Sequence, residues 1–431
     1  MHQPLTPDRP RTPGRGFGVL RHRDFRLYWV GAVISFLGIW MEMVARNWLL
    51  FEMSNSALVV GLNGLFMTIP FVLTSLYAGT VVDRVDRRRL LIWIELLNLS
   101  IFFALATLVI TGRVEVWHIY ATSLLHALVG AFESPTRSSL LPYLVPRDEL
   151  VAAVSLSSVV RRGTQIIGPA LGGIAVATLG VGGTYVLTAA IYGFLPAAIV
   201  LMRTTNPPAE RTTQKPFQAL TEGIRYVRSD PVLGPILLLE AFMSSFGFFS
   251  PLMVVFARTV FDVGAEGLGL LQSAVGLGSV IGSLGLATVG DVRHKGRVMI
   301  AAGVLFGVSV AAFAPCPWFV IALPILAVVG AADMRMGTLR VTVIQLVVRG
   351  PLRGRVMSLQ AIATRGLSPF GGFQLGALAQ VTGVQSAVAL GAIVCAAASL
   401  FVAWRAPAVR SFTDSPTEPP TERERGAAAS G

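Results

Sequence analysis

The sequence has 431 residues, of which 53% are hydrophobic and only 13% are charged, and its mean hydropathy is +0.67. Its length would allow two or three soluble domains, but this composition excludes an ordinary soluble protein. Nearly uncharged stretches of about 18 residues or more recur along the chain, and each is long enough to cross ~30 Å of hydrocarbon. These features predict an all-α, multi-pass protein of the cell membrane (plasma or inner membrane).

The formal net charge of +12 does not indicate a nucleic-acid partner. Basic residues cluster between the apolar stretches, where they anchor a protein to the anionic cytoplasmic leaflet, so the lipid bilayer is the expected partner. Five histidines and two separated cysteines supply neither a nucleophile–base pair nor a metal cluster, and no Walker A sequence is present. We therefore expect no enzymatic activity, no cofactor and no metal site.

Hydropathy predicts twelve membrane spans in chain order. The predicted spans cover residues 26–50, 58–80, 90–111, 116–135, 152–178, 183–202, 232–257, 266–289, 297–314, 318–345, 355–380 and 385–404. They form a first six-helix half, residues 26–202, and a second half, residues 232–404. A basic N-terminal arm, 1–25, and a C-terminal tail, 405–431, are predicted to be disordered. The linker 203–231 contains an amphipathic segment at 217–228, which should lie along the membrane surface.

The distribution of basic residues predicts the orientation of the chain. With the N-terminus in the cytoplasm, the only basic residues in outside loops are Arg113 and Arg258. The positive-inside rule therefore places both termini in the cytoplasm.

The two halves resemble each other at an offset of 203 residues, which superimposes Arg137 on Arg340 and Gly180 on Gly383. Two parallel six-helix repeats with a transport axis between them are a transporter architecture. We expect the protein to work as a monomer.

A charged stretch between predicted spans two and three carries six charges in the seven residues 83–89, so it must lie outside hydrocarbon. It resembles the signature of the major facilitator superfamily, although Asp86 stands where the family has a second glycine. The matching residues are Gly79, Asp83, Arg84, Arg87 and Arg88. The resemblance implies a gating hairpin that docks on the start of span eleven, with Asp83 as the gating residue. The alternative is a turn that only anchors the topology.

Predicted span five contains Gly168, Pro169, Gly172 and Gly173 in close succession. The proline bends the helix and the glycines permit close contact with a neighbouring helix. This segment resembles the antiporter signature of facilitator exporters, with Thr164 at the position of the leading glycine. The alternative is a tight helix crossing that says nothing about the direction of transport.

The segment from Glu133 to Arg137 and the entry to span seven around Pro231 narrow the resemblance. They are similar to the drug, siderophore and macrolide exporters that are grouped with the enterobactin exporter. The resemblance covers about residues 20 to 405 and leaves the substrate undefined.

Charged residues inside spans are the candidate site residues, because each costs about 3 kcal/mol near the middle of the membrane unless it faces protein or water. They follow helical stripes in spans one, four, seven and ten, and the resemblance implies that these spans line the central cavity. The residues are Glu42 and Arg46 in span one, His126, Glu133 and Arg137 in span four, Glu240 in span seven, and Asp333 and Arg340 in span ten. Arg137 and Arg340 fall at the cytoplasmic ends of their spans.

Glu42 and Arg46 are one helical turn apart and can pair, so protonation of Glu42 would break the pair and couple a proton to a conformational change. A permanent structural pair is the alternative. Glu240 has no obvious local partner. His126 stands where many facilitator exporters have an arginine; it could bind a proton near neutral pH or could be a hydrogen-bonded core residue.

Together these features favour a secondary active transporter that exports a lipophilic or amphiphilic small molecule (a drug, siderophore or metabolite) in exchange for protons, by alternating access. A solute importer or facilitator of the same fold is one alternative. A membrane scaffold or lipid-handling protein without transport activity is another.

Overall fold

A computed structural model of the protein describes residues 16–82, 84–203, 224–290, 292–348 and 350–412. These residues form helices and turns, and no β-strand occurs among them. The first five helices are α1 (Arg23–Ser54), α2 (Ala57–Val82), α3 (Arg87–Ile110), α4 (Val116–Leu140) and α5 (Leu150–Val200). They are followed by α6 (Leu233–Phe246), α7 (Ala265–Val289), α8 (Lys295–Phe313), α9 (Phe319–Val347), α10 (Gly350–Ala361), α11 (Leu367–Thr382), α12 (Val384–Arg405) and α13 (Pro407–Arg410).

Within the described residues, nine helical stretches are long and apolar enough to cross a membrane. The number is lower than the twelve predicted spans for three local reasons. The predicted spans 152–178 and 183–202 lie in the single helical run α5. The helix α4, which corresponds to the predicted span 116–135, carries Glu133 and Arg137 and is not among the nine stretches. The predicted span 355–380 is divided between α10 and α11, and neither part is among the nine.

The helical run α5 is bent at one residue, Gly180, whose φ of 70° and ψ of 174° are not helical. Gly383, which separates α11 from α12, has a similar conformation, with φ 85° and ψ 154°. A residue with a Cβ rarely adopts this backbone conformation. The two glycines are 203 residues apart, so the offset of the sequence repeat recurs in the backbone geometry.

Two further interruptions lie in the second half of the chain. Helix α6 ends at Phe246, and the chain continues through a 3₁₀ turn, Ser250–Leu252, into a π-helical turn, Phe256–Val260. A second π-helical turn, Ile362–Gly366, joins α10 to α11. π-Helical turns shift the register of side chains along a helix and are frequent at functional sites.

The chain divides into two compact units. The first unit contains Met1–Leu49 and Ile69–Thr213, and the second contains Leu50–Thr68 and Gln214–Gly431. The second unit thus includes the first half of α2, which belongs to the predicted first half of the sequence.

Close packing in the second unit explains this grouping. A methyl group added at Gly61 would lie 3.1 Å from the carbonyl carbon of Gly372 in α11, and one at Gly64 would lie 3.2 Å from Pro369. The hydroxyl of Ser56 also donates a hydrogen bond to Gln380 Oε1, at 3.1 Å. The beginning of α2 therefore packs directly on α11.

The prediction that residues 1–25 are disordered is wrong for residues 16–25, which form a 3₁₀ turn, Gly16–Arg21, and the start of α1. Val19 and Phe25 are fully buried in an apolar cluster of the first unit. Arg21 and His22 both bind the carboxylate of Glu149, with the His22 bond at 2.9 Å. Apolar side chains and this ion pair order the arm, and residues 1–15 lie outside the described residues.

The prediction for the tail is also wrong at its beginning, because Pro407–Arg410 is helical and Val409 is fully buried. Gly296 at the start of α8 allows the carbonyl of Val409 to approach where a side chain would collide. Residues 413–431 lie outside the described part. So do residues 217–223 of the predicted amphipathic segment, whereas residues 224–229 are helical.

Candidate functional site

The charged stretch after α2 is described except for Asp83, the residue expected to act in gating, which lies outside the described residues. Gly79 belongs to α2, and Arg84 lies in the turn that follows. Asp86 is the N-cap of α3, where its Oδ1 accepts hydrogen bonds from the backbone N–H groups of Arg88 and Arg89, at 2.9 and 3.1 Å. A glycine could not provide this side-chain cap.

Two arginines of the same stretch are bound within the first unit. The guanidinium of Arg87 is buried over the ring of Tyr143, 5.2 Å from its centroid. Arg88 donates hydrogen bonds to the carbonyls of Ile199 and Val200, at 3.1 and 2.9 Å. These carbonyls lie in the last turn of α5, and that of Ile199 also accepts a hydrogen bond from the N–H of Met202 at 3.0 Å. A cation at this negative end of the helix dipole stabilises the helix terminus. Both arginines therefore hold the beginning of α3 against other segments of the first unit.

In α1, the predicted pair of Glu42 and Arg46 is present. The carboxylate Oε2 of Glu42 lies 3.1 Å from Nη2 of Arg46, and both side chains are buried. Arg46 also donates a hydrogen bond to the hydroxyl of Ser123 in α4, at 3.5 Å. The pair therefore joins the first and fourth helices.

His126 in α4 is hydrogen-bonded through Nδ1 to Oδ1 of Asn98 in α3, at 2.9 Å. Its ring packs on Phe102, with the centroids 5.2 Å apart, and Phe102 in turn contacts Tyr192 at the same distance. Asn98 is fully buried, and no feature of the sequence pointed to it. This environment is that of a hydrogen-bonded core histidine, the second of the two interpretations given above.

Arg137 is the centre of a buried charge cluster in the first unit. It binds Glu133 at 2.8 Å, one turn earlier in α4, and Glu95 of α3 at 2.7 Å. The guanidinium also lies over the ring of Phe36 in α1, 5.2 Å from its centroid. Two carboxylates thus share one cation, and Glu95 has no exposed surface. Glu95 lies 42 positions before Arg137, so helical spacing in the sequence does not predict this contact.

A second buried cluster surrounds Glu240 in the second unit. Its carboxylate forms an ion pair with Arg340 of α9. It also accepts hydrogen bonds from Ser244 Oγ at 3.3 Å and from Thr364 Oγ1 at 2.6 Å. Thr364 belongs to the π-helical turn between α10 and α11. The cluster therefore connects three segments that are far apart in sequence, and neither Thr364 nor the ion pair was predicted.

Asp333 follows the same face of α9 as Arg340 but is exposed. Among the described residues it forms no ion pair. The structure thus brings together Glu240 and Arg340 and leaves Asp333 as a separate carboxylate, two turns away along α9.

Several buried polar atoms in α5 and α7 have no hydrogen-bond partner among the described residues. They include the hydroxyls of Tyr185, Thr188 and Tyr192 and both amide atoms of Gln272. Buried polar groups are normally hydrogen-bonded, so such atoms indicate positions where water or a ligand binds. Sequence patterns missed them, because tyrosine and threonine in an apolar helix do not differ visibly from other core residues.

The glycines of predicted span five form a close helix crossing in the first unit. A methyl group added at Gly172 would lie 2.8 Å from the Cα atom of Met41 in α1, and one at Gly168 would lie 2.5 Å from Cβ of Trp40. Pro169 and Gly173 are buried beside them. The motif therefore brings α5 against the helix that carries Glu42 and Arg46.

Chemically, these clusters can exchange a proton for a change in contacts between helices. Each unit contains a buried arginine that binds carboxylates from its own unit, and neutralising a carboxylate would release the arginine from it. Among the described residues, no group of histidine, cysteine, aspartate and glutamate side chains could hold a metal ion.

Comparison with known proteins gives a family match over most of the chain. The model of the family described as "Transmembrane secretion effector" matches residues 15–424. The multidrug efflux pump Tap of Mycolicibacterium fortuitum is 27% identical over 366 residues, which are 82% of this chain and 89% of Tap. The staphyloferrin A transporter of Staphylococcus aureus is 25% identical and covers 83% of this chain and 90% of its own. The enterobactin exporter EntS of Salmonella typhi is 26% identical, with 85% and 88% covered.

Three solved structures share the fold at much lower sequence identity. A bacterial homolog of the human lysosomal transporter Spinster, in an inward-facing and unoccupied conformation, has a TM-score of 0.69 at 14% identity and covers 94% of this chain and 100% of its own. The nucleoside transporter NupG has a TM-score of 0.70 at 13% identity, with 90% and 99% covered. The peptide transporter POT has a TM-score of 0.72 at 12% identity, with 90% and 95% covered.

Proposed function

We propose that this chain, which belongs to the transmembrane secretion effector family of the major facilitator superfamily, exports an amphiphilic small molecule in exchange for protons. Family membership confirms the resemblance to the major facilitator superfamily that the sequence indicated. The chain is a multi-pass transporter of the inner or plasma membrane and not an enzyme. Proton coupling, alternating access and the substrate class are our proposal.

The proposed architecture has twelve spans in two six-helix halves, residues 26–202 and 232–404, with both termini in the cytoplasm. The matching conformations of Gly180 and Gly383 support two equivalent halves. The orientation follows from the basic residues between spans. Alternating access then corresponds to rocking of one half against the other around a site near the middle of the membrane. We propose that one copy of the chain suffices.

The buried ion pair of Glu240 with Arg340 is the observation that carries the proton-coupling proposal. A carboxylate that binds a proton loses its attraction for the guanidinium, and a buried cation without its partner is unstable by about 3–5 kcal/mol. Protonation of Glu240 would therefore favour a different arrangement of α6, α9 and the turn that contains Thr364. Glu42 and Arg46 would act in the same way between α1 and α4.

The remaining acids have supporting roles in this proposal. Glu133 and Glu95 share Arg137, so one of them can hold a proton while the other keeps the ion pair. Asp333 is exposed and would deliver protons or contact a cationic substrate. His126 would orient its neighbours through hydrogen bonds and would not carry the transported proton.

The proposed substrate class comes from the relatives. Tap is named as a multidrug efflux pump, and the other two relatives are named as transporters of the siderophores staphyloferrin A and enterobactin. We propose a substrate of this kind, an amphiphilic drug or siderophore, for this chain. The stretch from Gly79 to Arg89 would close the cytoplasmic gate, with Asp83 as its gating residue and Arg87 and Arg88 as anchors.

Uptake into inside-out vesicles tests this proposal. Vesicles from cells that express the chain, and vesicles with an empty vector, receive ethidium, staphyloferrin A or enterobactin under an imposed pH gradient, acidic inside. We expect the chain to accumulate at least one of the three in the vesicles, and a protonophore to abolish the accumulation. Accumulation only in right-side-out vesicles would show an importer, and no movement of any probe in either orientation would contradict the proposed substrate class.

A further inference from the structure

We propose that a groove on the second unit binds an anionic phospholipid, with two arginines on the phosphate and an apolar floor under an acyl chain. The groove has a volume of about 490 Å³ and lies between α8, α12 and α13. It contains none of the residues to which the transport proposal assigns a role. This inference therefore goes beyond the proposed function and rests on it only for the orientation of the chain in the membrane.

The floor of the groove is entirely aliphatic. Along α8, Ala301, Leu305 and Val308 contribute to it, and α12 contributes Leu400 and Ala403. The two alanines leave space between the helices, while Leu305, Val308 and Leu400 are 42%, 55% and 57% exposed. Because α8 and α12 are both long and apolar enough to cross a membrane, the medium that meets this floor is the hydrocarbon of the bilayer.

Two arginines, Arg297 and Arg410, are the polar part of the lining. Both are exposed, and neither forms an ion pair with any described residue. Arg297 belongs to the first turn of α8, where the helix terminus also favours an anion. Guanidinium groups bind phosphate oxygens with charge-assisted hydrogen bonds.

The position of Arg410 is fixed by the packing of α13. Val409 is fully buried, and its carbonyl approaches Gly296 so closely that a Cβ atom at residue 296 would collide with it. The short helix is therefore held on the beginning of α8, which brings Arg410 to the same groove as Arg297.

The combination selects a lipid over other occupants. A soluble phosphate would use the arginines but leave the aliphatic floor uncovered, and a neutral lipid would cover the floor but leave both guanidinium groups without an anion. An anionic glycerophospholipid satisfies both. Basic sites between membrane helices on the cytoplasmic side bind such headgroups, and the orientation proposed above places Arg297 and Arg410 on that side.

Native mass spectrometry of the full-length, delipidated protein tests the inference, with phosphatidylglycerol and phosphatidylcholine as the probes. We expect phosphatidylglycerol to bind the protein in preference to phosphatidylcholine. The double variant Arg297→Gln/Arg410→Gln should bind phosphatidylglycerol about 25-fold more weakly, since each arginine contributes about a factor of five. The control Arg147→Gln/Arg161→Gln removes the same charge from two exposed arginines of the first unit and should bind normally. Equal losses in the two double variants would overturn the proposal.

A second variant tests the floor of the groove separately. Ala301→Phe/Ala403→Phe fills the space between the helices and keeps both arginines, so it should also lose phosphatidylglycerol binding while its melting temperature without lipid stays unchanged. Soluble glycerophosphoglycerol and inorganic phosphate should not compete at the concentration of the lipid. Full competition by either of them, or normal lipid binding by the filled variant, would show a simple anion site and contradict the lipid site.

Discussion

Arg137 and Arg340 are 203 residues apart, which is the offset at which the two halves of the sequence resemble each other, but they bind carboxylates from different helices. Arg137 is paired within α4 and with α3, whereas Arg340 is paired with α6. At both positions a buried arginine is present, but its carboxylate partners come from different helices. In the proton-coupling proposal, the Glu240 pair therefore responds to a proton by changing the contact between α6 and α9.

Changing one partner of that pair should destabilise the protein more than changing both. Arg340→Gln leaves Glu240 buried without its cation and should lower the free energy of unfolding by about 3–5 kcal/mol. Glu240→Gln/Arg340→Gln should recover most of this loss because no unpaired charge remains. Thermal unfolding of the purified variants in detergent measures the difference. If the double variant were as unstable as the sum of the two single variants, the pair would not be a coupled unit.

His126 should tolerate a neutral substitute that keeps its hydrogen bond. His126→Gln can still donate to Asn98, so the pH dependence of transport should keep its shape and the rate should fall by less than about threefold. His126→Phe removes the donor and should destabilise the protein by about 1–3 kcal/mol. Transport measured from pH 5.5 to 8.5 distinguishes the two roles. If His126 carried the proton, transport would lose its pH dependence in both variants.

The sequence predicted the pair of Glu42 and Arg46 because residues four apart on a helix are neighbours. It could not predict the partner of Glu240, because Arg340 and Thr364 are brought to it by helix packing. The contact between Asn98 and His126 could not be predicted for the same reason. Helical spacing shows which side chains share a face, and only tertiary structure shows what that face contacts.

At the level of elements, the crossing of α1 and α5 depends on the absence of a side chain at Gly172. Gly172→Ala would place Cβ 2.8 Å from the Met41 Cα atom and should destabilise the protein by about 1–3 kcal/mol. Gly163→Ala, in the same helix but with no atom within 4 Å of the added group, is the matched control. The melting temperatures of the two variants should differ by several degrees, and equal values would show that the crossing is not tight.

The bends at Gly180 and Gly383 should each require glycine. Substitution of either by alanine forces a residue with a Cβ into a positive-φ conformation that costs about 1–3 kcal/mol. Gly130→Ala in the interior of α4 serves as control, and it should stabilise the helix by about 0.5–1 kcal/mol because its site is open. Chemical unfolding of the three variants measures the free energy of unfolding, which should fall for the two bend variants and rise for Gly130→Ala. A stabilising effect of Gly180→Ala would contradict the observed backbone conformation.

Some helix positions followed from hydropathy to within a few residues, as in α9, predicted at 318–345 and observed at Phe319–Val347. The π-helical turns and the division between α10 and α11 could not be predicted, because they depend on which backbone hydrogen bonds the neighbouring helices permit. The ordered arm at residues 16–25 was missed because its two buried side chains were outweighed by surrounding prolines and arginines. Local composition describes an average environment and does not reveal a specific docking contact.

For the whole molecule, the proposal is that buried carboxylate–arginine pairs convert proton binding into movement of helices. The family match establishes a transporter, and the names of the relatives indicate efflux of drugs and siderophores. Proton coupling remains the central claim to be tested. It requires that substrate movement and proton movement be lost together when Glu240 is neutralised.

The most direct measurement is proton flux in liposomes that contain the purified protein and a pH-sensitive dye. Addition of a substrate that the vesicle assay identifies, such as ethidium, should produce proton movement opposite to the substrate in the unmodified protein. The control Glu266→Gln, which changes an exposed carboxylate in α7, should behave in the same way. Glu240→Gln should abolish substrate-driven proton movement while the variant remains folded and still binds the substrate. Undiminished proton movement in Glu240→Gln would contradict the account.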